Sequence, residues 1–211
     1  VKTVLDDVYV ATDDDRILQA VRSFGGNAVL TSDKHKSGTD RCNEAYRTIG
    51  GGQDVVINIQ GDEPFIKPEQ IRAIMQCFDT PDTQIATLVR AFHSDETWND
   101  LVNPNSPKVI LNERNEAVYF SRSVIPYLRN YPTDEWLSRH TYYKHIGMYA
   151  YRADILDCLT RLPQSSLEIA ESLEQLRWLQ NGYTVKVGIT TQETIGIDTP
   201  EDLEKALTLL P

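Results

Sequence analysis

The seven residues Asp54-Val-Val-Ile-Asn-Ile-Gln60 are apolar except at Asn58 and the two ends. A strand with one face in water alternates polar and apolar side chains. An almost unbroken apolar run therefore reads as a strand covered on both faces, as in a parallel sheet packed between helices. Short β-rich runs alternate with helical patterns on either side of it. Strands are predicted at residues 7–11, 28–31, 54–60, 85–90, 108–111, 118–121, 145–151 and 184–189, and helices at 14–24, 40–49, 68–78, 153–160, 168–180 and 200–209. The last helix has a defined start: Thr199 suits the N-cap, Pro200 the first helical position, and Glu201 and Asp202 the positive end of the helix dipole. The first half thus reads as βαβα. The segments 108–111 and 118–121, joined by Asn112-Glu-Arg-Asn-Glu116, read as an antiparallel pair. The expected architecture is α/β, one domain over residues 1–211: a Rossmann-like, mostly parallel mixed sheet between helices with a small antiparallel extension.

Charge narrows the function classes. Lys plus Arg is 21 and Asp plus Glu is 31, a net charge of −10. That balance excludes the broad basic face of a nucleic-acid or membrane-surface binder but leaves room for a local basic cleft and an anionic small substrate. Cys42, Cys77 and Cys158 are odd in number and widely spaced, which fits reduced thiols in a cytoplasmic protein rather than a disulfide framework or a zinc site. No run of about 18 apolar residues is present, and no signal-peptide pattern precedes the first strand.

The strongest local chemical signal is Gln60-Gly61-Asp62-Glu63-Pro64, directly after the apolar strand. Ligands of open α/β sheets bind beyond the carboxyl ends of strands. Gly61 permits a sharp turn or a close approach, and Asp62 projects a carboxylate of the kind that holds magnesium beside phosphates. A charged turn is the competing reading. Gly196-Ile197-Asp198-Thr199-Pro200 places a second carboxylate at the mouth of an element, where Asp198 could equally help cap the last helix. Ser37-Gly38-Thr39-Asp40-Arg41 opens a helix whose free N–H groups attract anions; an ordinary N-cap at Thr39 or Asp40, with Arg41 solvated, is the alternative. Period-2 alternation puts His145, Gly147, Tyr149 and Tyr151 on one strand face, polar enough to line a pocket. Arg122, at the end of an apolar strand, offers a guanidinium to a carboxylate or phosphate, or to a surface ion pair. In the helix over 166–180, Ile169, Leu173, Leu176 and Gln180 mark the apolar side, which leaves Glu174 and Gln175 near the polar boundary as surface residues. His35, His93, His140 and His145 are too scattered for a metal cluster.

These segments in this order resemble the CMP-Kdo synthetase family, the 3-deoxy-manno-octulosonate (Kdo) cytidylyltransferases of lipopolysaccharide synthesis. The likeness rests on VATDD at 10–14, SGTDR at 37–41, VINIQGDEP at 56–64, Asn103-Pro104-Asn105 with Lys108-Val109, YFSRSVIP at 119–126, KHIGMYAYR at 144–152, LEIAESLEQLR at 167–177 and GIDTPEDL at 196–203. It covers essentially the whole chain. The resemblance implies attack of the Kdo anomeric hydroxyl on the α-phosphate of CTP, giving CMP-Kdo and pyrophosphate. It implies that Asp62 and Asp198 bind the cofactor Mg2+ and are the catalytic residues. Gln60, His145, Tyr149, Glu174, Gln175 and Arg122 would contact Kdo, with Arg122 near its carboxylate. Ser37, Gly38, Thr39 and Arg41 would lie in the cytidine site. A cytoplasmic homodimer, built partly through the antiparallel extension, is implied as well. The family opens with a strand and a glycine-rich phosphate loop carrying Arg and Lys that nothing here matches. A preceding stretch of roughly 40 residues, the scale of one more α/β nucleotide-binding unit, is therefore expected, and a chain truly beginning at Val1 should be unstable and inactive. CMP-sialic acid synthesis, another sugar-nucleotide transfer and a non-catalytic binding module are the rival readings.

Overall fold

The computed structural model describes residues 4–63, 65–93 and 95–192, together with Ile197, Glu204 and Leu207. The chain opens with β1 (Tyr9–Thr12), α1 (Asp15–Ser23) and β2 (Asn27–Leu30), the two strands pairing in parallel. Then come α2 (Gly38–Thr48), β3 (Val55–Asn58), α3 (Pro68–Gln76) and β4 (Ile85–Ala91), the alternation expected of a βαβα half. The middle holds α4 (Trp98–Val102), β5 (Lys108–Leu111), β6 (Ala117–Ser121) and α5 (Trp136–Arg139). The last stretch holds β7 (Tyr143–Arg152), α6 (Ala153–Leu159), α7 (Ser166–Glu171), α8 (Gln175–Gln180) and β8 (Val185–Ile189). The predicted helix over 200–209 lies outside the described residues except at Glu204 and Leu207, both helical.

Six strands form one sheet in the order β6-β5-β7-β4-β8, with β3 beside β5 along the same edge of β7. β3, β4 and β5 run antiparallel to β7, and β8 runs parallel to β4. These four share one direction, so the α/β fold with a mixed sheet is as expected. Two apolar layers cover it. Ile85, Val89, Tyr149 and Tyr151 meet Leu156, Leu159, Leu176 and Trp178 on one side. Ala86, Leu88, Ile146, Met148 and Ala150 meet Ile74 and Cys77 on the other. A third cluster, around Leu101, Trp136 and Tyr142, packs the lobe that follows β6. The three cysteines are free thiols.

The predicted hairpin forms, with Asn115 at φ +54° and Asn112 Oδ1 accepting the N–H groups of Arg114 and Glu116 at 2.9 and 3.0 Å. An asparagine side chain that bonds its own turn and tolerates the left-handed region closes this loop.

Two expectations change. The first is the strand after α2: β3 is only four residues long and half-buried throughout rather than covered on both faces. Among the described residues it pairs with β7 on one edge alone, and a strand paired on one edge is less covered than one inside a sheet.

The second concerns the predicted helix over 168–180, which is two helices. Ser172, at φ +51°, takes the left-handed conformation that ends α7. The cause is tertiary. Glu171 turns its carboxylate to the Ser121 hydroxyl (2.7 Å) and the Arg122 N–H (2.9 Å), while the Arg122 side chain donates to the carbonyls of Glu171 (2.7 Å), Ser172 (3.2 Å) and Pro104 (2.8 Å). Carbonyls held from outside do not continue an i→i−4 ladder. Ile169, on the apolar side of a continuous helix, is exposed as a result.

Candidate active site

Beyond the carboxyl ends of β1, β2 and β3 lie Asp13, Thr31 and the turn through Gln60, Gly61 and Asp62. The start of α2 follows the β2 end. Its N-cap is Ser37, which accepts the Asp40 N–H at 3.2 Å, so neither Thr39 nor Asp40 is the cap. That frees the buried Thr39 hydroxyl to donate to Glu174 Oε2 at 3.0 Å and to lie 3.3 Å from the Tyr151 hydroxyl. Gly38 faces Asn58: a Cβ there would lie 3.4 Å from its Nδ2. Arg41 is half-buried and held by the protein. It donates to Thr31 Oγ1 at 2.7 Å and pairs with Asp13 at 3.2 Å, tying together the ends of β1 and β2. Asp14 caps α1 through the Arg16 N–H, and the Arg16 guanidinium holds its carboxyl at about 2.

The opposite wall is β7. It carries two extra residues opposite the Thr87–Leu88 step of β4, since Leu88 faces Ile146 whereas Thr87 faces Tyr149. A one-residue bulge would send later side chains to the other face, but an insertion of two preserves the parity. His145, Tyr149 and Tyr151 therefore share a face as expected, with ring centroids 5.3 Å apart for the first pair and 6.2 Å for the second. Burial pushes the His145 imidazolium down to about 3, so the ring is neutral. The loop after β3 lies over this face. A Cβ on Gly147 would meet Glu63 Oε1 at 3.0 Å and Gln60 Nε2 at 3.8 Å. Glycine at 147 permits that approach.

Of Glu174 and Gln175, read as surface residues from the helical pattern, Gln175 is buried and Glu174 half-buried. Gln175 is only 4% exposed. Trp178, one turn further along α8, packs edge-on against Tyr149 at 4.9 Å and Tyr151 at 5.6 Å, which docks α8 on β7. Two buried polar atoms in this cluster, Gln175 Nε2 and Trp178 Nε1, have no hydrogen-bond partner among the described residues, and the buried Tyr149 hydroxyl has at most the Thr87 hydroxyl beside it. Burial raises the pKa of Glu174, partly offset by hydrogen bonds from Thr39 and Ser37. A carboxyl whose folded pKa lies above the unfolded 4.5 contributes stability that is full below that pH and is lost as pH rises through the folded value. Glu174→Gln keeps an acceptor for Thr39 and removes the buried charge. Its melting temperature should exceed that of the parent at pH 8, and the gap should close near pH 4. Thermal scans at both pH values check this.

Arg122 stands apart from this cluster. Its guanidinium faces three main-chain carbonyls, so it latches the turn that carries Glu174 and Gln175. Lys108 is fully buried beside it and donates to the Asn103 carbonyl at 3.0 Å; burial, opposed by the Glu171 charge, brings its pKa to about 8. Asp62 is exposed and makes no ion pair among the described residues, and its carbonyl accepts the Ile197 N–H at 2.8 Å. Ile197 therefore meets the Asp62 turn; Asp198 itself lies outside the described residues. Oxygen-only donors of this kind fit magnesium, which takes one or two protein carboxylates and keeps several waters. A recess of about 460 Å³ on the flank of α2, lined by Lys34, His35, Lys36, Glu44 and Arg47 among others, contains none of the predicted sugar residues.

A cytidylyltransferase family profile matches residues 1–207. A 3-deoxy-manno-octulosonate cytidylyltransferase of Parabacteroides distasonis is 67% identical over 211 residues, all of this chain and 84% of that protein. The enzyme of the same name from Bacteroides thetaiotaomicron is 64% identical over 96% of this chain and 81% of its own length. The chain belongs to the 3-deoxy-manno-octulosonate cytidylyltransferase family. A solved CMP:2-keto-3-deoxy-manno-octonic acid synthetase complexed with CTP superimposes with a TM-score of 0.87 at 42% identity, covering 97% of this chain and 80% of that one.

Within this family member, reading the sequence missed Thr87 and Glu171. Thr87 had a faint signal, being the one polar side chain in the otherwise apolar run Ile85-Ala-Thr-Leu-Val89. Glu171 had none, because its partners are 49 and 50 residues away in the chain.

Proposed function

We propose that this cytidylyltransferase transfers the cytidylyl group of CTP to 3-deoxy-manno-octulosonate. The anomeric hydroxyl oxygen forms a bond to the α-phosphorus, the bond to the β-phosphate oxygen breaks, and pyrophosphate leaves. The observation that carries the sugar site is the buried, unpartnered Gln175 Nε2 on the same cluster as the Tyr149 hydroxyl, beside the half-buried Glu174 carboxyl. Buried polar atoms without partners are rare in folded proteins and call for an explanation; the hydroxyls of a bound sugar acid supply one. Gln60 and His145 complete the polar wall around Gly147. Ser37, Gly38 and Thr39 form the nucleotide side, and Arg41 sets the ends of β1 and β2 beneath it.

Asp62 and Asp198 would hold magnesium. Bound there, it would supply neutralisation of phosphate charge. The protein's own part is orientation: it presents one hydroxyl in line with the α-phosphate and keeps competing water off the sugar face. A homodimer through the β5–β6 hairpin and the aromatic lobe after it, where Val118 and Tyr127 are exposed, and a cytoplasmic setting in lipopolysaccharide synthesis complete the proposal. No helix among the described residues is long and apolar enough to cross a membrane.

Protein incubated with CTP, magnesium and a panel of 2-keto sugar acids should release pyrophosphate with Kdo and far less with sialic acid. Release with sialic acid alone would move the assignment to that substrate. CTP binding without release on any sugar would make the chain a binding module.

A further inference from the structure

Thr87 is fully buried in β4, directly opposite the two-residue insertion in β7. Its Oγ1 lies 2.8 Å from the Met148 carbonyl, 3.4 Å from the Ile146 carbonyl and 3.0 Å from His145 Nε2. Both carbonyls flank the inserted pair, where the regular ladder is interrupted. A carbonyl only accepts, and a buried one left unpaired is costly. A threonine hydroxyl has a single proton, and Met148 offers the shorter contact for it. What remains on Oγ1 toward the imidazole is a lone pair, so Nε2 must carry the ring proton. Neutral imidazole has only one such proton, which leaves Nδ1 as an acceptor. Among the described residues the ring's side-chain hydrogen bond is the one at Nε2.

We propose that Thr87 is a positioning residue that locks His145 in the Nε2–H tautomer, so that Nδ1 reads a hydroxyl donor of the sugar acid and not its carboxylate. The second half of this inference rests on the sugar-site reading above; the first half does not. Burial keeps the ring from becoming a cation, which would otherwise donate from both nitrogens. The edge-on contact with Phe120, ring centroids 5.3 Å apart, holds the ring plane. The bulge thus has two consequences at once: it keeps His145 and Tyr149 on one face and it supplies the carbonyl that uses up the Thr87 proton.

The test combines a substrate-free and a kinetic measurement on the intact chain. Nitrogen-15 spectra at pH 6, with the signal assigned through His145→Gln, should show His145 with a protonated Nε2 and a pyridine-like Nδ1. Thr87→Val should abolish that pattern and raise KM for Kdo about tenfold, the scale of one hydrogen bond, with KM for CTP unchanged. Thr87→Ser, which retains the hydroxyl, should restore both and shows that the effect is not loss of packing. An Nδ1–H tautomer in the parent protein overturns the proposal. So does a Thr87→Val variant with the parental tautomer, or one whose KM for both substrates rises together. If no sugar acid is turned over, the spectra still decide the tautomer, and failure of the sugar-site reading is seen separately.

Discussion

Asp62→Asn should lower the rate of pyrophosphate release from CTP and Kdo by about three orders of magnitude or more while leaving the melting temperature within about 2 °C of the parent. Asparagine has the size of aspartate but no charge, so it weakens the hold on a divalent cation that contributes several kcal/mol to the transition state, each ~1.36 kcal/mol being tenfold in rate. The small thermal effect follows from position. Asp62 is exposed, makes no ion pair among the described residues, and contributes its main-chain carbonyl, not its side chain, to the bond with Ile197. Surface changes away from such structural features stay within about 0.5 kcal/mol. Steady-state assays with magnesium titrated from micromolar to tens of millimolar, alongside thermal scans, check both parts. Parental turnover at every magnesium concentration would remove Asp62 from the site, and a large thermal loss would make it structural.

Glu168→Ala should destabilise the fold severely. Glu168 and Arg177 form a two-point ion pair, 2.8 Å from Nε and 2.5 Å from Nη2, with the two side chains only 7% and 8% exposed. Glu168 also completes a capping box with Ser165 at the start of α7, and Arg177 reaches the Leu162 carbonyl at 3.3 Å. Deleting the carboxylate strands a buried guanidinium, at a cost of about 3–5 kcal/mol. In a chain of this length that corresponds to a melting point lower by about 10 °C. The double change Glu168→Met with Arg177→Met removes both charges and should recover most of the loss, because the pair itself adds little once its desolvation is counted. Thermal melts of the single and double variants beside the parent check this. The pair joins α7 to α8, and Glu174 and Gln175 sit at the joint. KM for Kdo should accordingly rise in Glu168→Ala at temperatures where the fold persists, with KM for CTP less affected.

Much of this molecule is legible without coordinates, and the legible parts share a cause. Strand and helix positions in the βαβα half come from side-chain period and caps, which are local. The pattern predicts a strand at 85–90, and β4 runs from Ile85 to Ala91; it predicts a helix at 68–78, and α3 runs from Pro68 to Gln76. The hairpin closing at Asn115 is equally local, written in the asparagines of its turn. The shared face of His145, Tyr149 and Tyr151 also follows from period-2 counting, although it survives only because the β7 insertion has an even number of residues.

The remainder depended on contacts between segments far apart in the chain. Helical periodicity runs on through Ser172, yet the helix breaks there, because Arg122 and Glu171 draw main-chain groups toward β6 and the loop before β5. That break takes Gln175 out of an expected surface stripe into the interior and leaves Glu174 half-buried beside Thr39. Thr39 likewise reads as a cap and is instead the bond between α2 and the start of α8. Local patterns set which residues can be helix or strand, since backbone and neighbouring side chains decide that over a few residues. Which polar groups end up buried, paired or left open for a ligand is decided only when distant segments close on one another and water is excluded from between them.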